Sequence, residues 1–357
     1  MYNRRKTRVV RVGDVAIGGT FPITVQSMTT TPTADVAATV AQVEALATAG
    51  CEIVRLAVNS PAAVAGFAEV KRRVKSVPLV ADIHFDHRLA IAAIEGGADK
   101  IRINPGNIGS AAKIRDVANA AKARGIPIRI GVNSGSLEAD LIDKFGGVTA
   151  EGLAESALRN IWMLEDFDFG DIVVSIKASN IPMTLKAHEI LAPLVDYPLH
   201  VGITEAGTLF YGTIKSTAGL AAILTRGIGD TVRISLTADP TEEVKAAKEM
   251  LKALELRRFG PEIISCPTCG RTEVDLMPLA NEVERRIKHV VAPLKIAIMG
   301  CVVNGPGEAA DCDIGIAGGR GDGILFLKGK VIRKVSENDM VSVLIEEIEK
   351  LAKEQII

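Results

Sequence analysis

Cysteine is scarce in this chain: five in 357 residues. That is too few for a disulfide framework, which excludes the small stapled secreted fold. An excess of charge of either sign is also missing, the formal net charge being -1. The whole-chain balance therefore gives no case for nucleic acid or an anionic membrane as partner. No apolar run is long enough to span a bilayer. The basic start, Met1-Tyr2-Asn3-Arg4-Arg5-Lys6, is not followed by the apolar core of a signal peptide. A soluble, cytoplasmic protein is the expectation. Low-complexity segments and clear repeats are absent too. So is a glycine fingerprint after the first strand, which reads Gln26-Ser27-Met28-Thr29-Thr30, and an open dinucleotide-binding sheet would carry one.

What is present is a steady alternation. Hydrophobic residues make up 48% of the chain, enough for a substantial core. Short β-branched runs occur at 23–28, 52–58, 78–84, 100–106, 127–133, 171–179, 198–205 and 231–239. Ala-rich stretches with helical spacing lie between them, at 35–50, 61–76, 87–97, 111–124, 150–168, 182–195, 214–228 and 241–258. Strands alternating with helices imply βα units and a parallel sheet. Eight units in this length predict an α/β fold, a (β/α)8 TIM barrel. Residues 8–19 read as a β-hairpin ahead of it, at the base. The pattern changes around Phe259-Gly260-Pro261. The expected division is a barrel over 1–260 and a small α+β domain over 261–357. In the second domain the sequence predicts strands into Cys266 and at 294–300, 313–317 and 323–334, with helices near 275–289 and 338–354.

Five barrel strands each carry one basic residue inside an apolar run: Arg55, Arg102, Arg129, Lys177 and Arg233. Side chains alternate along a strand, so a basic residue flanked by aliphatics faces opposite to them. The helix-covered face takes the aliphatics, and the cations then point into the barrel. Each unpaired buried ion costs several kcal/mol. Convergence of five is reasonable if an anion sits among them, and arginine's planar fork suits phosphate oxygens. The simplest ligand is a small diphosphate. The plainer alternative is a structural network with Asp82, Glu205 and Asp239. The segment Gly207–Thr213 reads as a loop leading into a helix, where barrels often bind phosphate.

Other polar residues fall near strand C-terminal ends, where barrels place their chemistry: Asp82, His84, Asn104, Asn133, Ser175, Ser179, His200, Thr204 and Glu205. Glu205 is the first choice for an acid/base group. Its alternative role is to orient Lys177 or an arginine. His84 and His200 also fit hydrogen-bonded wall positions.

The cysteines carry a second chemistry. Cys266-Pro267-Thr268-Cys269-Gly270 is followed by Gly300-Cys301-Val302-Val303-Asn304-Gly305-Pro306-Gly307-Glu308. A CxxC inside a cell reads as metal or redox chemistry. The first half alone is equally at home in a zinc ribbon, and Cys312 could complete four ligands. Cys301 standing alone in a Gly-Pro-Gly loop argues against a ribbon, whose ligands come in CxxC pairs. Three thiols suit an iron–sulfur cluster with one unusual corner, and Glu308 can offer a hard oxygen. Cys51 and Cys312 read as core residues.

With these motifs in place, the chain resembles the 4-hydroxy-3-methylbut-2-en-1-yl diphosphate synthase family of the non-mevalonate isoprenoid pathway. Val25-Gln26-Ser27-Met28-Thr29, Asp82-Ile83-His84-Phe85, Arg102-Ile103-Asn104-Pro105-Gly106 and Gly202-Ile203-Thr204-Glu205-Ala206-Gly207 add to the two cysteine segments. The length resembles the compact two-domain bacterial form. The resemblance implies an oxidoreductase whose C-terminal domain is similar to those of sulfite and nitrite reductases. It implies a [4Fe-4S] cluster on Cys266, Cys269 and Cys301, with Glu308 on the fourth iron. The implied substrate is 2-C-methyl-D-erythritol 2,4-cyclodiphosphate, a cyclic diphosphate that two electrons open and dehydrate. Arg55, Arg102, Arg129, Lys177 and Arg233 would hold it, helped by Asp82, His84, Asn104, Asn133, Ser175, His200 and Thr204, with Glu205 assisting proton delivery. Ferredoxin or flavodoxin would be the electron donor, since no nicotinamide or flavin motif is seen. A head-to-tail homodimer would bring the partner subunit's cluster domain over the barrel mouth. Two other readings compete: a barrel hydrolase or lyase with structural zinc, and a barrel resembling dihydropteroate synthase that binds a pterin diphosphate.

Overall fold

A computed structural model describes residues 3–302, 307 and 309–354. The chain falls into two compact units, Met1–Arg257 and Arg258–Ile357. Among the described residues no helix is long and apolar enough to cross a membrane.

The first unit opens with an antiparallel hairpin, β1 (Val10–Val12) and β2 (Val15–Ile17). Eight strands follow: β3 (Thr24–Met28), β4 (Ile53–Ala57), β5 (Leu79–Asp82), β6 (Lys100–Ile103), β7 (Ile128–Asn133), β8 (Ile172–Lys177), β9 (His200–Val201) and β10 (Thr231–Val232). They pair in parallel in the order β8-β7-β6-β5-β4-β3-β10-β9. A parallel bridge between Val174 and Leu199 joins the two ends, so the sheet closes into the TIM barrel that the alternation predicts. Val12 and Ile17 of the hairpin pack with Ile53 and Val80. Gly13, at the hairpin turn with φ +54, lies against Pro78 and Asp99, which precede β5 and β6. The hairpin therefore covers the N-terminal end of those strands, as expected.

The helices follow from apolar spacing and caps. In Ala150–Asp166, Leu153, Ala157, Ile161 and Leu164 form the buried stripe, and Thr149 Oγ1 accepts from Gly152 N at 3.1 Å. Pro61–Arg73 starts on Ser60 and Pro61 and ends in Lys71, Arg72 and Arg73, which complement the helix dipole. Two predictions need correction. The helix after β9 starts at Leu209, five residues earlier than expected, so most of the supposed loop 207–213 is its first turn. A helix at Ala139–Phe145 was hidden in a short stretch bounded by Gly146 and Gly147.

The second unit is one five-stranded sheet in the order β11 (Glu262–Ser265), β12 (Lys295–Met299), β13 (Ile314–Gly318), β14 (Asp322–Leu327) and β15 (Lys330–Ser336). The first three strands run parallel, and the last two pairings are antiparallel. The segment 323–334, expected as one strand, is a hairpin turning at Lys328 and Gly329, both with positive φ. Helices Leu276–Arg286 and Met340–Glu354 bury Val283, Leu344 and Ile348 in one core with Ile296, Ile298 and Ile316.

Candidate functional site

The barrel strands place their cations on the inner face. Arg55 stands level with Met28 and Val80, and Arg129 with Arg102 and Asp82. Arg55, Arg102, Arg129 and Lys177 are all buried, and the side chain of Arg233, just past β10, is 16% exposed. Asp82 sits among them. Its Oδ1 accepts from Arg102 Nη1 at 3.1 Å, and its Oδ2 is 3.4 Å from Arg55 Nε. Burial alone would raise the Asp82 carboxyl. Arg55 and then Arg102, Arg129 and His84 outweigh it and hold it well below the usual carboxylate range. Arg55 also directs Nε and Nη2 at the Met28 sulfur, 3.2 and 3.0 Å away.

The second carboxylate is Glu243, which the sequence reading missed. It is buried on helix Pro240–Ala253, where Oε2 and Oε1 accept from Arg233 Nε and Nη2, both at 3.2 Å. It also accepts from Ser27 Oγ at 2.8 Å and Leu236 N at 3.0 Å. Of the alternative network, Asp82 does pair with Arg55 and Arg102, while among the described residues Asp239 and Glu205 form no ion pair with these cations. Asp239 caps the same helix by accepting from Thr241 N at 2.8 Å. Five cations against two carboxylates leave positive charge in excess. Burial, then Arg55 and Arg102, push Arg129 well below its ordinary value. Lys177 is depressed by burial and then by Arg129, Arg233, Arg55 and Arg102. The mutual repulsion shows that all five cations share one interior space.

Two glycines make that space. A Cβ on Gly131 of β7 would strike Arg102 Nε. One on Gly202, just past β9, would lie 2.7 Å from Lys177 Nζ and 3.1 Å from its Cε. In both places the neighbouring strand gives up a side chain so that a cation can lie across it.

The polar residues expected at the mouth divide. His84 is part-exposed with Nε2 3.7 Å from Asp82 Oδ2, and Asn133 ends β7 level with Lys177. Asn104 is occupied locally: Oδ1 accepts from Gly106 N at 3.2 Å and Nδ2 donates to Ser136 Oγ at 3.0 Å. Ser175 is buried and donates to Ile130 O at 3.2 Å. Thr204 is half-buried. His200 is not at the mouth. It stands level with Thr231 and Thr24, the first residues of β10 and β3, and is fully buried. Glu205 is exposed with φ 53, a left-handed conformation costing an L-residue roughly 1 kcal/mol. Helix Leu209–Leu224 starts without a side-chain cap at Thr208.

In the second unit, Cys266 directly follows β11 and Cys301 lies two residues past β12, its parallel neighbour. Gly300 N donates to Cys266 Sγ at 3.2 Å. Arg271 hydrogen-bonds Cys269 and feels the charge of Cys301 and Cys266; its backbone N–H first, and then its guanidinium, lower the Cys269 thiol. Cys266 and Cys301 thus follow the ends of two adjacent strands, with Cys269 three residues past Cys266 and a backbone N–H already aimed at the Cys266 sulfur. That donor set suits an iron–sulfur cluster. Among the described residues no three Cys, His, Asp or Glu side chains close on a single-ion site. Glu308, the expected fourth ligand, lies outside the described residues. Cys312 is buried against Ala297, Met299, Ala317 and Phe326, a core position, and burial raises its thiol. Cys51 is likewise buried, donates to Ile53 O at 3.2 Å, and is pushed up to about 12 by burial.

Comparison with known proteins adds a further line. The family profile "GcpE TIM-barrel domain" matches residues 7–248, and "GcpE protein C-terminal domain" matches 262–350. The chain is 59% identical over 354 residues to the 4-hydroxy-3-methylbut-2-en-1-yl diphosphate synthase (flavodoxin) of Anoxybacillus flavithermus, covering 99% of this chain and 97% of that one. It is 58% identical over 352 residues to the protein of the same description from Bacillus subtilis, covering 99% and 93%. Among solved structures, dihydropteroate synthase from Stenotrophomonas maltophilia superposes with a TM-score of 0.50 at 16% identity, over 70% of this chain and 98% of that one. That likeness concerns the barrel fold alone.

Proposed function

The chain belongs to the GcpE family, matched in both of its units, and on that premise we propose how its own residues serve the family's reaction. The activity is the two-electron reductive opening and dehydration of 2-C-methyl-D-erythritol 2,4-cyclodiphosphate to 4-hydroxy-3-methylbut-2-enyl diphosphate. One observation carries the assignment of the site: five cations converge inside the barrel and, among the described residues, two carboxylates pair with them.

In this reading Arg55, Arg102, Arg129, Lys177 and Arg233 grip the diphosphate. Asp82 holds Arg55 and Arg102 in place, and Glu243 fixes the Arg233 fork. Neither carboxylate neutralises the set, so the anion gains from charges already assembled. The ring oxygen leaves its carbon as a diphosphate oxygen, and the new negative charge falls among the same cations. The hydroxyl leaves as water and needs a proton. Glu205, kept at a left-handed position past β9, is our choice to hold and deliver it. His84 beside Asp82, and Asn133 and Thr204 near the strand ends, would orient the sugar-derived carbons.

Cys266, Cys269 and Cys301, with Glu308, would hold a [4Fe-4S] cluster that supplies the electrons one at a time. Flavodoxin, named in the relatives, is the donor we assign. The assembly we favour is a head-to-tail homodimer. Leu209, Phe210, Tyr211 and Ile214 leave a large apolar exposure on the helix that follows β9, which suits burial by a second copy.

Anaerobic purification, iron and sulfide analysis, and assay of the cyclic diphosphate with dithionite or reduced flavodoxin test this reading. About four irons per chain and reductant-dependent formation of the linear diphosphate are expected. Cys301→Ser should lose both. A colourless zinc protein, or turnover unaffected by Cys301→Ser, would overturn it.

A further inference from the structure

Below the diphosphate cations lies a second layer of buried polar groups that the proposed reaction does not use. Lys100 begins β6 and shares the inner face with Arg102, two residues on. It is fully buried, and Nζ has no hydrogen-bond partner among the described residues. The same holds for both ring nitrogens of His200, for Nε and Nη1 of Arg129, and for both amide atoms of Gln26. Thr24, Thr231 and His200 occupy one row across β3, β10 and β9, and the Oγ1 atoms of both threonines are also without partner. His200 feels the charges of Arg129, Lys177, Lys100 and Arg55, so the row and Lys100 face one another across the interior.

Buried donors left without partners each cost about 1–3 kcal/mol, and a buried ammonium more. So many buried donors in one place call for an acceptor among them. The layer is rich in donors, and among the described residues no carboxylate pairs with Lys100. Asp82, on the neighbouring strand, is committed to Arg102 and Arg55. Above, Arg55, Arg102 and Met28 separate the layer from the mouth. Below, the β1–β2 hairpin closes it through Val12 and Ile17.

We infer that this lower layer binds one small inorganic anion of the halide class, held by Lys100 and His200 together with Arg129, which it shares with the diphosphate site above. An anion there would compensate Lys100 and pull Arg129 down from the mouth, setting the height at which the diphosphate is gripped. A neutral His200 can offer one N–H, and Gln26 and the threonines can offer more.

The test is a crystal of the full-length protein grown with sodium bromide, with anomalous difference maps recorded at the bromine edge. A peak in contact with Lys100 Nζ and Arg129 is expected, together with its loss in Lys100→Met. A water at that point, or bromide only at the mouth among Arg55 and Arg233, would overturn the proposal. Melting of the wild-type protein in bromide against gluconate at equal ionic strength gives a second reading. Bromide should raise the midpoint by a few degrees, and equal midpoints would count against the site.

Discussion

Lys177 shows how much of the site is decided by single residues. It lies in an apolar strand, faces four arginines, and is depressed far below the ordinary 10.5 by burial first and by those arginines second. The folded chain therefore binds fewer protons at this position than the unfolded chain. Stability should rise with pH from the folded value up to about 10.4, the unfolded value. Melting followed from pH 7 upward tests this, and Lys177→Met should flatten the rise. An identical slope in the variant would show that Lys177 is not the group responsible. Glu205 makes the complementary prediction. Glu205→Gln should keep iron and diphosphate affinity while turnover falls by about 10²–10⁴-fold, the range for a lost proton donor. Wild-type turnover would remove it from the chemistry. The cations were legible because a basic residue inside a β-branched run has few reasons to be there. Glu243 was not legible, because Thr241-Glu242-Glu243-Val244 reads as the solvated first turn of a surface helix. Only the fold turns Glu243 inward towards Arg233 and Ser27.

Strands and helices were the most readable scale. All eight barrel strands fall inside the runs that the alternation marked, because a strand buried on both faces must be nearly continuous in apolar residues. The errors have local causes. The start of helix Leu209–Leu224 was missed because Gly207, Thr208, Gly212 and Thr213 look like loop chemistry, while tertiary packing of Gly212 against Gly207 and Leu236 overrides their propensity. His200 opens β9 in register with Thr231 and Thr24, the first residues of β10 and β3, so it sits at their depth rather than at the mouth. The glycines opposite the cations carried no signal in the sequence, since a glycine in a strand run reads only as a weak point. Their role gives a sharp test. Gly202→Ala places a methyl 2.7 Å from Lys177 Nζ and also 2.7 Å from Arg233 O. It should cost about 1–3 kcal/mol of stability and weaken diphosphate binding by displacing Lys177. Unchanged binding in Gly202→Ala would mean that the cation does not need that space.

At the scale of the whole molecule, the two units divide the work by the chemistry of their residues. In the proposed reading the barrel holds negative charge, while Cys266 and Cys301 follow adjacent strands of the second sheet and Cys269 lies three residues past Cys266. The motif Cys266–Cys269 with Cys301 makes a redox-metal role the expectation for the second unit, because redox metal chemistry restricts the residue types far more than packing does. The fold class was equally readable, while the partner of each cation was not, since pairing depends on distances between strands far apart in sequence. In the proposed reading the five-cation interior is the diphosphate site. Calorimetric titration of the cyclic diphosphate into the iron-loaded protein, compared with Arg102→Ala and Arg129→Ala, tests that most directly. Loss of a charged hydrogen bond worth about 1.5–3 kcal/mol predicts roughly 10- to 100-fold weaker binding in each variant, at unchanged iron content. Wild-type affinity in both variants would contradict the assignment and move the substrate elsewhere.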